Sequence, residues 1–362
     1  MGDPPAPRRT LGPLLGAVLL AVAAGGAAAV VTLHGRTTAR LPQPSPSATP
    51  AVSTPGPTPV GAAPVGDPTS AAWDSTHHLL LTYSPNDTSF PGAVATWDGT
   101  RWRRQATAAG APGVGGVLVD MPALSGVLLV SGRAGPPFAG ASTNVWLWNG
   151  SAWTQLPPAR FAQCLAPASG AWDEVRAEVV VVLSNDCAFG INGPIPPETW
   201  TFDGHTWVRR GVAPDGVLFP VLAWDVDARK VAMLQGPGDG DPNPTDREWW
   251  WSGTDWEAGG TLPGALAPMQ FTGAAWDSSA HGLVVIPDNA APGIAYVVRS
   301  GAWSVLHAQV FPQRVLAVAG DTAGGRVLVI GQQLIVPGSR PDPAAGAYYV
   351  LGFDGRTWLR LP

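Results

Sequence analysis

Two cysteines, two adjacent histidines and one acidic loop are the residues whose types and spacing could do chemistry. Cys164 and Cys187 could form a disulfide, and in an oxidising compartment an even count of two suits one bridge; two free buried thiols are the alternative. His77 and His78 could ligate a metal. As neighbours on a strand they would point to opposite faces, so they read as turn residues rather than as a chelating pair. In the stretch Gly238 to Glu248, Asp239, Asp241 and Asn243 stand at the alternate spacing of a calcium loop. Pro244 occupies the place that needs glycine and Trp250 the place of the bidentate glutamate, so the stretch reads as a solvated acidic loop. The chain has no Gly-x-Ser-x-Gly, no zinc-binding His-Glu pair and no phosphate loop, and it calls for no metal and no cofactor. What remains are carboxylates such as Asp87, Asp186, Asp239 and Asp246. Two of these ~5–9 Å apart could hydrolyse a glycoside.

The elements that must position these groups recur along the chain. "TWDGTRW" at Thr96, "LWNGSAW" at Leu147, "TFDGHTW" at Thr201, "WWSGTDW" at Trp250, "VRSGAW" at Val298 and "GFDGRTW" at Gly352 are near-copies of one turn. They end in Trp102, Trp153, Trp207, Trp256, Trp303 and Trp358. A second landmark keeps the same period: "AAWD", "GAWD", "LAWD" and "AAWD", with the degenerate "VLVD" and "VAGD", end in Asp74, Asp173, Asp225, Asp277, Asp120 and Asp321 respectively. Each aspartate precedes an apolar, β-branched run.

Every unit therefore reads as four short strands. A small-residue strand ends in Asp, a tight turn leads to the apolar strand, a loop of variable length follows, and an aromatic strand turns back into the strand carrying the last Trp. Asp-Gly and Asn-Gly suit a type I′ hairpin, whose two central residues need positive φ. The six aspartates are expected to accept backbone N–H groups in the turn that follows them. Asn149 forms an Asn-Gly-Ser sequon, and its place in a hairpin turn explains it. A four-stranded sheet cannot cover both its faces, so the closing tryptophans are expected to fill the gaps between neighbouring sheets. Six such sheets set radially make an all-β, six-bladed β-propeller over residues 69–362. Each unit starts on the inner strand and is complete in itself, so the ring should close by packing.

Composition agrees. Among 362 residues, 45 glycines and 39 prolines argue for turns over long helices, and all 17 tryptophans fall within the repeats. Formal net charge is −5, and residues 69–362 carry 17 basic against 24 acidic side chains. Such a surface does not suit a phosphate backbone, and nucleic acid is not an expected partner.

Residues 1–10 form a short, expected cytoplasmic N-terminus holding Arg8 and Arg9. Residues 11–33 are an uncharged apolar run long enough to cross a bilayer as a helix, read as a signal-anchor, with a cleaved signal peptide as the alternative. Residues 34–68 hold a Pro/Ser/Thr/Ala-rich stretch with no aromatics, expected to stay extended as a linker. Either reading of 11–33 places the propeller on the extracytoplasmic side.

The repeats resemble those of the kelch family and the related propeller of galactose oxidase, in the apolar second strand, the aromatic third strand and the Trp soon after it. The family's glycine pair after the second strand is replaced by "TYS", "SGR", "LSN", "QGP", "IPD" and "IGQ". What the resemblance implies is the fold more than a function. Copper oxidation of the galactose oxidase kind needs tyrosine and histidine ligands and a cysteine cross-linked to tyrosine. The tyrosines here, Tyr83, Tyr296, Tyr348 and Tyr349, do not pair with a cysteine in that pattern.

The expected function is a membrane-tethered binding or interaction scaffold for an extracytoplasmic protein or a cell-envelope glycan. Its recognition surface would be the variable loops between second and third strands. The alternative is a carbohydrate-active enzyme using carboxylates of those loops.

Overall fold

The computed structural model describes residues 68–84, 93–105, 116–133, 143–161, 165–185, 196–214, 217, 219–235, 248–260, 270–288, 294–307, 312, 314–332 and 348–361. Residues 1–67, with the expected anchor and linker, lie outside them. No helix among the described residues is long and apolar enough to cross a membrane.

The described chain forms 24 strands in six antiparallel sheets of four consecutive strands each. Blade 1 is β1 (Ser70–Asp74), β2 (Leu79–Ser84), β3 (Ala93–Trp97) and β4 (Trp102–Gln105). Blade 2 is β5 (Gly116–Met121), β6 (Gly126–Arg133), β7 (Thr143–Trp148) and β8 (Trp153–Ala159). Blade 3 is β9 (Leu165–Asp173), β10 (Glu178–Asn185), β11 (Glu198–Phe202) and β12 (Trp207–Val212). Blade 4 is β13 (Val221–Asp225), β14 (Lys230–Leu234), β15 (Glu248–Trp251) and β16 (Trp256–Ala258). Blade 5 is β17 (Phe271–Asp277), β18 (Gly282–Pro287), β19 (Ile294–Arg299) and β20 (Ala302–His307). Blade 6 is β21 (Arg314–Asp321), β22 (Arg326–Gln332), β23 (Tyr348–Phe353) and β24 (Trp358–Arg360).

The first strands β1, β5, β9, β13, β17 and β21 touch in that order, and β21 touches β1, so they line the axis of a closed ring. The architecture is a six-bladed β-propeller.

The core is six apolar layers, one between each pair of neighbouring blades. Ala72, Leu81 and Tyr83 of blade 1 meet Leu118, Leu129 and Trp148 of blade 2. The layer closing the ring has the same construction: Trp73, Leu80 and Trp97 of blade 1 meet Ala317, Leu328 and Ile330 of blade 6. Among the described residues no strand is exchanged between the first and last sheets. Each second strand lies between layers on both faces, which is why its sequence is a continuous apolar run; Val179 to Leu183 of β10 are all fully buried.

The closing tryptophans sit in the layer between their own blade and the preceding one: Trp102, Trp153, Trp207, Trp256, Trp303 and Trp358. Five of them are also register partners of the aromatic that ends the third strand. Trp97–Trp102, Trp148–Trp153, Phe202–Trp207, Trp251–Trp256 and Phe353–Trp358 have ring centroids 6.4, 5.4, 4.7, 5.2 and 4.8 Å apart. Aromatic, turn, Trp is thus one cross-strand pair folded across a hairpin.

That hairpin differs from the expected type. Only Ser300 and Gly301 in blade 5 have positive φ at both central positions. In the other five blades the glycine alone does (Gly99, Gly150, Gly204, Gly253 and Gly355), and it occupies the first central position, as in a type II′ turn. The residue before it acts as a cap. Asp98, Asn149, Asp203, Ser252 and Asp354 each accept two backbone N–H groups through one side-chain oxygen, as when His205 and Thr206 donate to Asp203 Oδ1 at 2.8 and 2.7 Å.

The turn between first and second strands has four residues in every blade. It spans residues 75–78, 122–125, 174–177, 226–229, 278–281 and 322–325, and its fourth residue is always left-handed: His78, Ser125, Ala177, Arg229, His281 and Gly325.

Candidate functional site: the mouth of the central channel

The two ends of the ring are built differently. At the lower end lie the four-residue first turns and, opposite, short hairpins. At the upper end the second and third strands are joined by residues 85–92, 134–142, 186–197, 235–247, 288–293 and 333–347, which differ widely in length. The connections from one blade to the next emerge at the same end.

At this upper end a cavity of about 530 Å3 opens along the axis. It is lined by residues of all six first strands. Small residues line it, among them Ala71, Gly116, Gly170 and Gly273; a Cβ on Gly170 or Gly273 would meet Val119 or Val318 of the adjacent first strand. Its polar side chains are neutral (Thr69, Ser70, Ser169, Ser184, Gln270 and Thr272), and no ionisable side chain lines it among the described residues. Two serines also join neighbouring blades, since Leu118 N–H donates to Ser70 Oγ and Leu222 N–H to Ser169 Oγ, both at 2.9 Å. Each hydroxyl keeps its own proton to donate elsewhere. Thr272 Oγ1 is fully buried and has no hydrogen-bond partner among the described residues. Phe219 stands at the rim with 57% of its surface exposed.

The residues singled out from the sequence lie elsewhere. Asp74, Asp173, Asp225, Asp277 and Asp321 are buried at the lower ends of their first strands. Each accepts the N–H three residues on, from His77, Arg176, Ala228, Ala280 and Gly324, at 2.9, 3.1, 2.8, 2.7 and 2.7 Å. Three have a further partner: His77 Nδ1 on Asp74, Arg176 on Asp173 and Arg326 on Asp321. Burial pushes the carboxyls of Asp225 and Asp277 upward in pKa.

Asp120 departs from the expected role. Met121, not Asp120, pairs with the residue that starts the second strand, and Met121 is the one fully buried at that position. A 3₁₀ turn, Pro122–Leu124, replaces the aspartate-capped turn. Asp120 therefore lies one step earlier, where β1, β9, β13 and β17 carry Trp73, Trp172, Trp224 and Trp276. It faces blade 1 and accepts Ser75 N–H at 3.3 Å. Burial, with the neighbouring Asp74 carboxylate adding to it, pushes its pKa up to about 6.

His77 and His78 are turn residues; His77 lies against Gly150 of the next blade's hairpin, where a Cβ would overlap its ring. Arg176 does the same to Gly253 while donating to Ser252 O. Glu248, fully buried at the start of β15, accepts Gly260 N–H at 3.2 Å, and burial raises its pKa. None of these perturbed carboxylates lines the cavity. Cys164, Cys187, Asp87, Asp186, Asp239, Asp241, Asn243 and Asp246 lie outside the described residues. The register does place Leu165 opposite Asn185, the described neighbours of the two cysteines. Sequence reasoning missed the cavity lining, since a lone Ser, Thr or Gly at a strand start carries no signal by itself.

Three solved structures show how general this architecture is. An α-L-arabinanase of Penicillium chrysogenum, solved with arabinobiose, is 11% identical with a TM-score of 0.54, over 82% of this chain and 99% of that one. A calcium-binding protein, regucalcin, from Agrobacterium tumefaciens is 10% identical with a TM-score of 0.53, over 83% and 95%. A luciferin-regenerating enzyme is 12% identical with a TM-score of 0.51, over 80% and 91%. Likeness at such identity is of fold alone. No family model and no curated protein matches the sequence.

Proposed function

We propose that this protein is a membrane-tethered, kelch-like binding scaffold that presents the upper face of its propeller to an extracytoplasmic ligand. One observation carries the reading: on the lower face every turn between first and second strands has four residues and ends on a left-handed one, whereas the upper face joins its strands by connections of very different length around an open cavity. A rigid scaffold with variation confined to one end fits recognition. In this reading residues 11–33 anchor the chain, residues 34–68 space the propeller from the bilayer, and Cys164 and Cys187 are bridged at the upper end of blade 3.

Catalysis on a carbohydrate would require two carboxylates ~5–9 Å apart at the ligand, and the described lining offers hydroxyls, an amide and backbone groups. The test is capture from the cell envelope of the source organism. Replacing residues 333–347 with a short Gly-Ser linker should abolish capture, while exchanging the hairpin at 98–101 for that of another blade should not. Equal loss from both changes, or capture that neither affects, refutes the assignment of the upper face.

A further inference from the structure

The chemistry of the channel mouth restricts what it can hold. We infer that it is a binding site for an uncharged saccharide, seated in the cavity with one sugar face against Phe219; this rests on the upper face being the binding face.

Four observations lead there. First, the volume of about 530 Å3 lies within the range of sites that enclose a small ligand. Second, the described lining has no ionisable side chain. A phosphate, sulfate, uronate or ammonium group moved in from water would lose its hydration and meet no opposite charge among these residues. Third, the polar groups are hydroxyls and one primary amide. Ser70 and Ser169 already accept a backbone N–H each, so they face the cavity chiefly as donors, and Gln270 both donates and accepts. Sugar hydroxyls, themselves donors and acceptors, complement that mixture. The first strands add to it, because each is paired on one side only and its free edge carries backbone N–H and C=O groups toward the axis.

Fourth, Phe219 is the most exposed of the large apolar side chains among the described residues, and it stands at the rim of this cavity with Pro220 beside it. A pyranose or furanose ring has one face of C–H groups that covers an aromatic ring well, while its edge hydroxyls reach the neutral lining. A purely apolar ligand would leave the hydroxyls and the amide desolvated and unpaired.

The experiment uses the full chain in a nanodisc free of glycoside detergent. Neutral oligosaccharide probes (an α-1,6-mannan, an α-1,5-arabinan and a β-1,4-glucan hexamer) and one charged probe, a galacturonan hexamer, are titrated calorimetrically. At least one neutral probe should bind and the galacturonan should not. Phe219→Ala should weaken binding by up to roughly ten-fold through loss of the aromatic contact. Gln270→Ala should weaken it further, and neither exposed change should move the melting temperature by more than a degree or so. Tighter binding of galacturonan overturns the inference, and so does silence from every neutral probe. Neutral binding that ignores both substitutions moves the site off the channel. The broader reading fails separately, if envelope capture is indifferent to residues 333–347.

Discussion

Replacing Asp120 with Asn should stabilise the protein at neutral pH and leave it unchanged in acid. Asp120 lies between blades 1 and 2 at a position that four other blades give to tryptophan, with the Asp74 carboxylate nearby and one N–H, from Ser75, to accept. Its pKa rises from the ordinary 3.8 to about 6 because burial disfavours the charged form. The native state therefore holds this proton more tightly than the unfolded chain does. The resulting stabilisation is fully present below pH 3.8 and is lost as pH rises through about 6. At ~1.36 kcal/mol per unit, ionising Asp120 in the folded protein costs at most about 3 kcal/mol, and water reaching this half-buried side chain reduces that toward ~1–2. Asn keeps the oxygen that accepts from Ser75 and never ionises. Asp120→Asn should match the parent near pH 4 and exceed its melting temperature by roughly 2–5 °C at pH 7.5. The assay is thermal denaturation of both proteins from pH 4 to 8, read as their difference, in which every other titrating group cancels. Parallel curves, or a less stable variant at pH 7.5, would show that Asp120 is solvated as an ordinary surface carboxylate.

Three further outcomes are expected. Asp173→Ala should cost about 2–4 kcal/mol, since it removes the acceptor for Val175 and Arg176 N–H and leaves the Arg176 guanidinium without its carboxylate; urea unfolding measures it, with ligand capture unchanged. Ala177→Gly should stabilise by up to about 1 kcal/mol, because Ala177 sits at φ 53 and glycine removes the left-handed penalty; a fall in melting temperature would count against this. Cys164 and Cys187 should resist maleimide in native, unreduced protein, and reduction should lower stability by roughly 3 kcal/mol, the entropy of a loop of that length; labelling of both thiols would show them unpaired.

Much of the fold was legible because two landmarks recur in phase. The aromatic–turn–Trp segment and the Trp-Asp segment each have a local physical cause, a cross-strand ring pair and a capped turn, so their spacing reports blades directly. Reading failed where a degenerate copy shifts by one residue. "VLVD" looks like "AAWD" cut short, yet Pro122 imposes a different turn, and Met121 takes the buried place that aspartate has elsewhere. The hairpin type differs from the expected one for a related reason. Asp before Gly suggests two positive-φ positions, but the carboxylate is worth more as an acceptor for the two N–H groups that follow. The channel mouth could not be read at all. Ser70, Ser169, Gln270, Thr272 and Phe219 are far apart in sequence and of ordinary type, and they become a lining only when six strand starts converge on an axis.

The order of strands within each blade also decides how the protein bears load. The described chain enters the ring at β1, an innermost strand gripped between β5 and β21, and leaves it at β24, an outermost strand with a three-pair register. A pull through residue 68 must shear β1 out of the centre, against β2 and both neighbouring inner strands together. A pull through residue 361 unzips β24 from the rim one pair at a time. A propeller hung from its N-terminal side therefore hangs from its strongest point, and single-molecule extension from the two ends should give two different rupture forces.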